Sequence, residues 1–252
     1  MEATLNPDWL IDFLLIATRM AGVFLLLPVL GFTVIPARVR LLFVLTISLI
    51  FAGSLGAAHA HAATILELVR LGVIELARGA LLAFSVQAAF ATLNFAGQLL
   101  DHQIGFNAAA LFDFNTQAQD PLLSTLLLML GGLIFVAFDA HLELLRGLAE
   151  TFRQQPVGAA LPEVRPDQLA MQFGGVFVYG FMVASPVVAG LFLFDAATAF
   201  ISRSMPQLNI YFVSLPIKIF WGLLLLASSL IHVGPLLRAI FQHGALKSAA
   251  AS

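Results

Sequence analysis

"QLAMQFGGVFVYGFMVASPVVAGLFLFDAATAF", residues 168–200, decides the class of this chain. A membrane-spanning helix needs about 20 mostly apolar residues, and this run exceeds that with a single charged side chain, Asp195. The rest of the chain has the same character: 60% hydrophobic residues, 10% charged and a mean hydropathy of +0.98. Soluble domains carry about 25% charged residues. Twenty-three phenylalanines stand against 12 Lys and Arg, too few charges to coat a globule of 252 residues. The expected fold is therefore all-α, a multi-helix integral membrane protein.

Six stretches read as apolar segments: 9–33, 41–58, 79–100, 121–138, 168–200 and 210–237. The first is interrupted by Arg19 and Pro28, the fifth is expected to kink near Pro186, and the sixth carries Pro216 and Lys218 near its start. An amphipathic stretch with Glu67, Arg70, Glu75 and Arg78 precedes the third, and a charged amphipathic extension follows the fourth as far as Glu150. The triple-proline segment 153–167 reads as an exposed loop, and 244–252 as a tail. With both termini cytoplasmic, seven basic residues fall inside (Arg70, Arg78, Arg146, Arg153, Arg165, Arg238, Lys247) and three outside (Arg38, Arg40, Arg203). That asymmetry favours this orientation and puts 101–120 on the non-cytoplasmic side.

The same composition excludes several functions. A net charge of −2 and a pI near 6.3 leave no basic patch for nucleic acid. The absence of cysteine rules out a disulfide framework and a thiolate nucleophile or ligand. The acidic start "MEATLNPDWL" lacks a basic n-region and cleavage site, so the first residue is expected to be kept. No Walker-type glycine loop and no metal-binding histidine spacing occurs, and "HAH" at 59–61 reads as a polar turn.

Arg19, Asp139, Asp195 and Lys218 lie in or at the edge of apolar segments, where an ionisable group is expensive without a partner. Two readings compete. One is an ion or proton relay. The other, which the scattered positions favour, is structural pairing: Arg19 with a nearby acid, Lys218 with Asp195. Asp139 and Glu143, four apart, are expected on one helix face with His141 to the side, which could suggest acid/base work. Glu143 and Glu150 are however spaced to pair with Arg146, as on a solvated helix. Recurrent glycines (72, 79, 131, 132, 174, 175, 180) suit close helix packing.

One segment fits neither class. "GFNAAALFDFNTQAQDP", 105–121, is rich in alanine and amides, holds Phe106, Phe112 and Phe114, and has no lysine or arginine. Composition alone reads it as an extramembrane loop with a few buried aromatics.

Two motifs identify a family resemblance. "SRSMPQLNIYFVSLPIKIFWGLLLL", 202–226, resembles the P-Q-x-N-x-F-x-x-x-x-P-x-K-x-x-x-G-L-L-L segment of the FliR family, placing Pro206, Asn209, Pro216 and Gly222 in its pattern. It departs from that pattern at Tyr211 and Trp221. The stretch 97–158 is similar to the family's central region, from the A-G-x-x-x-D-x-x-x-G start at Ala96, Gly97, Asp101 and Gly105 to the H-x-x-x-L-x-x-L end that closes on "PVG". The opening tryptophan, Arg19 and the "PVLG" at 28–31 agree, so the resemblance covers nearly the whole chain and implies a single domain over 1–252.

That resemblance implies a non-enzymatic core subunit of the flagellar type III protein export gate, multi-pass in the bacterial inner membrane at the flagellar basal body. The implied partners are FliP and FliQ homologues, FlhA and FlhB, transient flagellar subunits as substrates, and the lipid bilayer. No cofactor or metal is implied. It makes 105–120 a plug loop projecting into a closed channel, with Gly105, Phe106, Phe112, Asp113, Phe114 and Pro121 as plug and gating residues. Arg19, Asp101, Asp139, Glu143, Asp195 and Lys218 become structural or interface charges. Rival readings are the equivalent subunit of a virulence-type secretion system, an ion-coupled solute transporter relaying through Arg19, Asp195 and Lys218, and an intramembrane enzyme built on Asp139, His141 and Glu143. A transporter would be expected to show inverted repeats, and none is visible.

Overall fold

The computed structural model of the chain describes residues 7–26, 36–54, 64–106, 121–160, 166–204 and 210–244. Seven helices lie among them: α1 (Pro7–Leu26), α2 (Ala37–Ser54), α3 (Ile65–Ile104), α4 (Leu122–Ala137), α5 (Ala140–Gln154), α6 (Pro166–Ser204) and α7 (Ile210–Gly244). There is no strand among the described residues, and the all-α expectation holds.

The amphipathic stretch before the third apolar segment and that segment itself form one helix, the 40-residue α3. It contains no proline, so nothing removes a ladder hydrogen bond along its length. α6 is nearly as long and runs through Pro186, so the expected kink does not interrupt the helix. The fourth apolar segment and its charged extension, by contrast, are separate helices. The chain turns at Asp139, whose backbone is left-handed (φ 56°, ψ 23°). A short polar side chain tolerates that conformation better than a bulky one. Asp139 and Glu143 therefore do not share one regular helix face. Asp139 stands before α5 and its carbonyl accepts from the Leu142 and Glu143 amides.

Among the described residues three helices are long and apolar enough to cross a membrane: Ala37–Ser54, Leu169–Ser204 and Val213–Ile231. The broken pair α4 and α5 makes a fourth if counted as one span. α1 and α3 both carry charged side chains. α1 holds Asp8, Asp12 and Arg19, and α3 holds Glu67, Arg70, Glu75, Arg78 and Asp101, of which Asp12, Arg19, Glu75, Arg78 and Asp101 are buried in protein. A helix with a charged interior face needs a protein neighbour, not hydrocarbon. The helices that do qualify expose large apolar side chains, such as Leu42 and Ile50 of α2, Phe192 and Phe200 of α6, and Phe220 and Ile231 of α7.

Packing divides the chain into two compact units. The first comprises Met1–Ala89, Asp139–Ala170 and Phe241–Ser252. Its buried residues include Leu15, Met20 and Val23 of α1, Leu82 and Val86 of α3, and Leu148 and Phe152 of α5. Phe24 meets Phe43 edge-on at 5.2 Å between ring centroids, and Phe51 lies 5.7 Å from Phe152. α1 and α3 touch backbone to backbone at Gly22 and Gly79: a Cβ on Gly22 would lie 2.6 Å from the Leu76 carbonyl oxygen, and one on Gly79 3.0 Å from Gly22 Cα. Only small residues allow helices so close.

The second unit comprises Phe90–Phe138 and Met171–Ile240. Phe90, Leu93, Ala96, Leu100 and Ile104 form the buried stripe of α3, joined in burial by Leu123, Leu127 and Phe135 of α4 and by Val187 and Leu191 of α6. Phe90 meets Phe135, and Phe95 meets Phe177, both edge-on. α7 reaches the end of α3 at Gly222, where a Cβ would stand 2.7 Å from Ile104.

Candidate functional site

The most constrained polar structure in the second unit is the joint between α3 and α4. The first amides of any helix lack partners, and an N-cap side chain usually accepts from the second and third helical positions. The N-cap of α4 is Pro121 (φ −66°), which has no side-chain acceptor. Asp101, in the last turn of α3, replaces it. One carboxylate oxygen accepts from the Leu123 amide at 3.0 Å and the other from the Ser124 amide at 3.2 Å. The carboxylate is fully buried, and its charge suits a helix N-terminus. Beside it, Ser124 Oγ bonds Asn94 Oδ1 at 2.5 Å, and Gly97 lets α3 reach the Ser124 backbone, whose nitrogen a Cβ would approach to 2.6 Å.

α3 then ends at Gly105. Its amide donates to the Asp101 carbonyl, and its φ of 95° is one that glycine adopts without penalty. Phe106 follows, half-buried. Gly105 and Pro121 thus stand at the two helix ends that Asp101 ties together. Phe112, Asp113 and Phe114, with the remainder of 107–120, lie outside the described residues, as do Pro28, "HAH" at 59–61, Pro206, Asn209 and 245–252.

The first unit holds a second polar cluster. Arg19 and Glu75 are both fully buried and paired through Nε and Oε2 at 2.5 Å, while Arg78 Nη1 donates to the other Glu75 oxygen at 2.6 Å. The two arginines also grip the loop after α5. Arg19 Nη2 donates to the Gln155 carbonyl, Arg78 Nη2 to those of Ala159 and Ala160, and the Gly158 amide donates to Glu75. The Arg19 guanidinium sits 4.1 Å over the Phe152 ring, a favourable place for a cation. Each member has a charge-assisted partner, although Arg19 Nη1 and Arg78 Nε are buried without an acceptor among the described residues.

Sequence reasoning missed this cluster. Arg78 was counted only among the basic residues on the cytoplasmic side, and its i,i+3 spacing from Glu75 reads identically whether the pair faces water or protein. The signal available was Arg19 itself, a buried cation that required an acid. The 155–160 part of the triple-proline segment, expected as an exposed loop, is instead held by it.

Elsewhere the charges pair more simply. Lys218 Nζ bonds Asp195 at 2.8 Å, with side chains 21% and 46% exposed. Glu143 pairs with Arg146 as its spacing predicts, but Glu150 turns to Arg153 at 3.7 Å and not back to Arg146. Both pairs are exposed. No group of three or more His, Asp or Glu able to hold a metal occurs among the described residues. The structure gathers Arg19 with Glu75 and Arg78, and Asp195 with Lys218. The described residues contain no linked chain of acids that would carry a proton.

Comparison with known proteins places these features. The sequence profile of the bacterial export proteins, family 1, matches residues 10–244. The chain is 29% identical over 238 residues to the flagellar biosynthetic protein FliR of Bacillus subtilis (strain 168), covering 91% of this chain and 90% of that protein. It is 30% identical over 217 residues to FliR of Escherichia coli (strain K12), covering 85% and 82%. Over 147 residues it is 30% identical to the Yop proteins translocation protein T of Yersinia pestis, covering 57% and 56%. With its embedded arginine held by Glu75, its glycine-lined helix crossings and its aspartate-capped joint all inside the matched region, the chain belongs to the bacterial export proteins of family 1, the family of the FliR proteins.

Proposed function

We propose that this chain is a core subunit of the flagellar type III protein export gate. It acts as one FliR-type domain that, with FliP and FliQ, forms the channel through which unfolded flagellar subunits cross the inner membrane. FlhA and FlhB are its further partners, and its place is the flagellar basal body. The observation that carries this reading is the family match over 10–244 together with flagellar relatives aligned over most of both chains. In this reading 105–120 is the plug, with Phe106, Phe112 and Phe114 filling the lumen. The absence of lysine and arginine there avoids trapping acidic substrates. The chain needs no cofactor and catalyses nothing itself. The virulence-type alternative is favoured by the translocation protein of Yersinia pestis, which aligns over 57% of the chain against 91% for the flagellar relative.

The decisive experiment is co-expression of the tagged chain with FliP and FliQ of the same organism and purification in detergent. One stable complex is expected. A chain that elutes alone, monodisperse and indifferent to those partners would end the gate reading. In assembled membranes, deleting 106–119 is expected to let small solutes leak.

The transporter alternative separates at Lys218 and Asp195. As a half-exposed structural pair they contribute no more than about 1 kcal/mol, so Asp195→Asn is expected to leave export and swimming nearly intact. A relay residue would not tolerate that change, and a swimming defect with normal gate assembly would reinstate the relay.

A further inference from the structure

We propose that Asp101 is a positioning residue of the gate, and that the α3–α4 joint it closes stays closed while a polypeptide passes. The joint is then a fixed part of the conduit and not its moving part. This rests on the gate reading above.

Three independent contacts converge on the joint. Both oxygens of Asp101 are used, each by a different amide of α4. Ser124 is held a second time by Asn94. Gly97 brings the α3 backbone against the Ser124 backbone without any side chain between them. Asp101 and Ser124 are both buried. Parting the helices would strand a buried carboxylate and two helix amides together, and a buried group left unsatisfied is far more costly than an exchanged one. The Lys218–Asp195 pair differs, because both groups keep partial exposure and can exchange partners. The α3–α4 joint is therefore among the last contacts in this unit to break, and a motion that leaves it intact is the easier one. Composition offered no sign of this, since Asp101 reads only as a charge at the end of an apolar segment.

The chain has no cysteine, so a cross-link can be placed cleanly. The test uses the full-length chain in the assembled gate, in cells lacking their own copy. Asn94→Cys and Ser124→Cys are introduced together at side chains that already touch. The disulfide is expected to form under mild oxidation, and export of a flagellar subunit is expected to continue at the rate of the reduced protein. Export that stops on oxidation and returns on reduction overturns the proposal, as does failure of the cross-link to form.

Asp101→Ala supplies the second arm. Resting leak of a small solute is expected to rise about fivefold, the shift that loss of one helix cap supplies, with the complex recovered at normal yield. Asp101→Asn, which keeps one acceptor, is expected to leak less. Unchanged leak and export in Asp101→Ala would overturn the positioning role. Should that variant fail to accumulate, the cross-link result decides alone. Failure of the unmodified chain to co-elute with its partners removes the gate reading and this proposal with it. Blocked export in a co-eluting, oxidised complex removes the proposal only.

Discussion

Glu75→Ala is expected to be the most damaging single substitution outside the loop, because it leaves two arginines facing each other with their shared anion gone. Arg19 and Arg78 both bond Glu75, and Arg19 is fully buried. Removing one partner of a buried ion pair costs about 3–5 kcal/mol, since the remaining charge stays out of water. Here two cations remain, and the Gly158 amide also loses its acceptor. The expected readout is a fall of roughly 10 °C in the temperature at which the detergent-solubilised protein loses its monodisperse form. The double variant Glu75→Ala with Arg19→Met is expected to recover part of that loss, because replacing charged partners by apolar side chains of similar volume is often tolerated. Equal stability of Glu75→Ala and the parent would mean that the cluster is solvated and not buried.

Gly79→Val is the second large effect. A Cβ there meets α1 backbone, with Gly22 Cα at 3.0 Å and the Arg19 carbonyl nearer still. Backbone cannot rotate aside as a side chain can, so the two helices must separate, and the expected loss lies at the upper end of the 1–3 kcal/mol range for overpacking, about 3 kcal/mol. Separation also stretches the Arg19–Glu75 pair, since Arg19 lies on α1 and Glu75 on α3. Gly72→Val provides the control. Gly72 lies two turns earlier on α3, and a Cβ there would have nothing within 4 Å, so a change within about 0.5 kcal/mol is expected. Thermal stability of the two variants side by side is the measurement, and similar losses in both would show that the crossing is not responsible.

These two positions illustrate what a one-dimensional reading can and cannot reach. Arg19 stood out at once, because a cation inside an apolar run demands an explanation. Its partner did not. Glu75 sits 56 residues away in a stretch whose charges have ordinary surface spacing, and i,i+3 pairing looks the same in water and in a core. Lys218 and Asp195 were legible as a pair because each was the conspicuous charge of its own apolar segment. Gly79 and Gly72 are indistinguishable as letters, yet one touches a helix and the other touches nothing.

Which apolar segments meet lipid is hidden for a related reason. Hydropathy measures how well a segment tolerates an apolar surrounding, and it cannot say whether that surrounding is lipid or protein. α1 and α3 contain apolar stretches that read as spans, yet Asp12, Arg19, Glu75, Arg78 and Asp101 on them are buried in protein. Similarly, Asp139 and Glu143 are four apart, which is one helix face only if the helix continues, and the left-handed backbone at Asp139 ends that condition.

The sequence by itself determined the class of the molecule, its helical content, the family through its proline, asparagine and glycine motifs, and the placing of Gly105 and Pro121 around a segment unlike its neighbours. These follow from composition and local order, which act over a few residues. Only the tertiary structure decided which charges meet, which glycines are crossings, and that Asp101 caps a helix beginning 21 residues after it. Those depend on which faces the folded helices turn to one another, a property that no spacing along the chain contains.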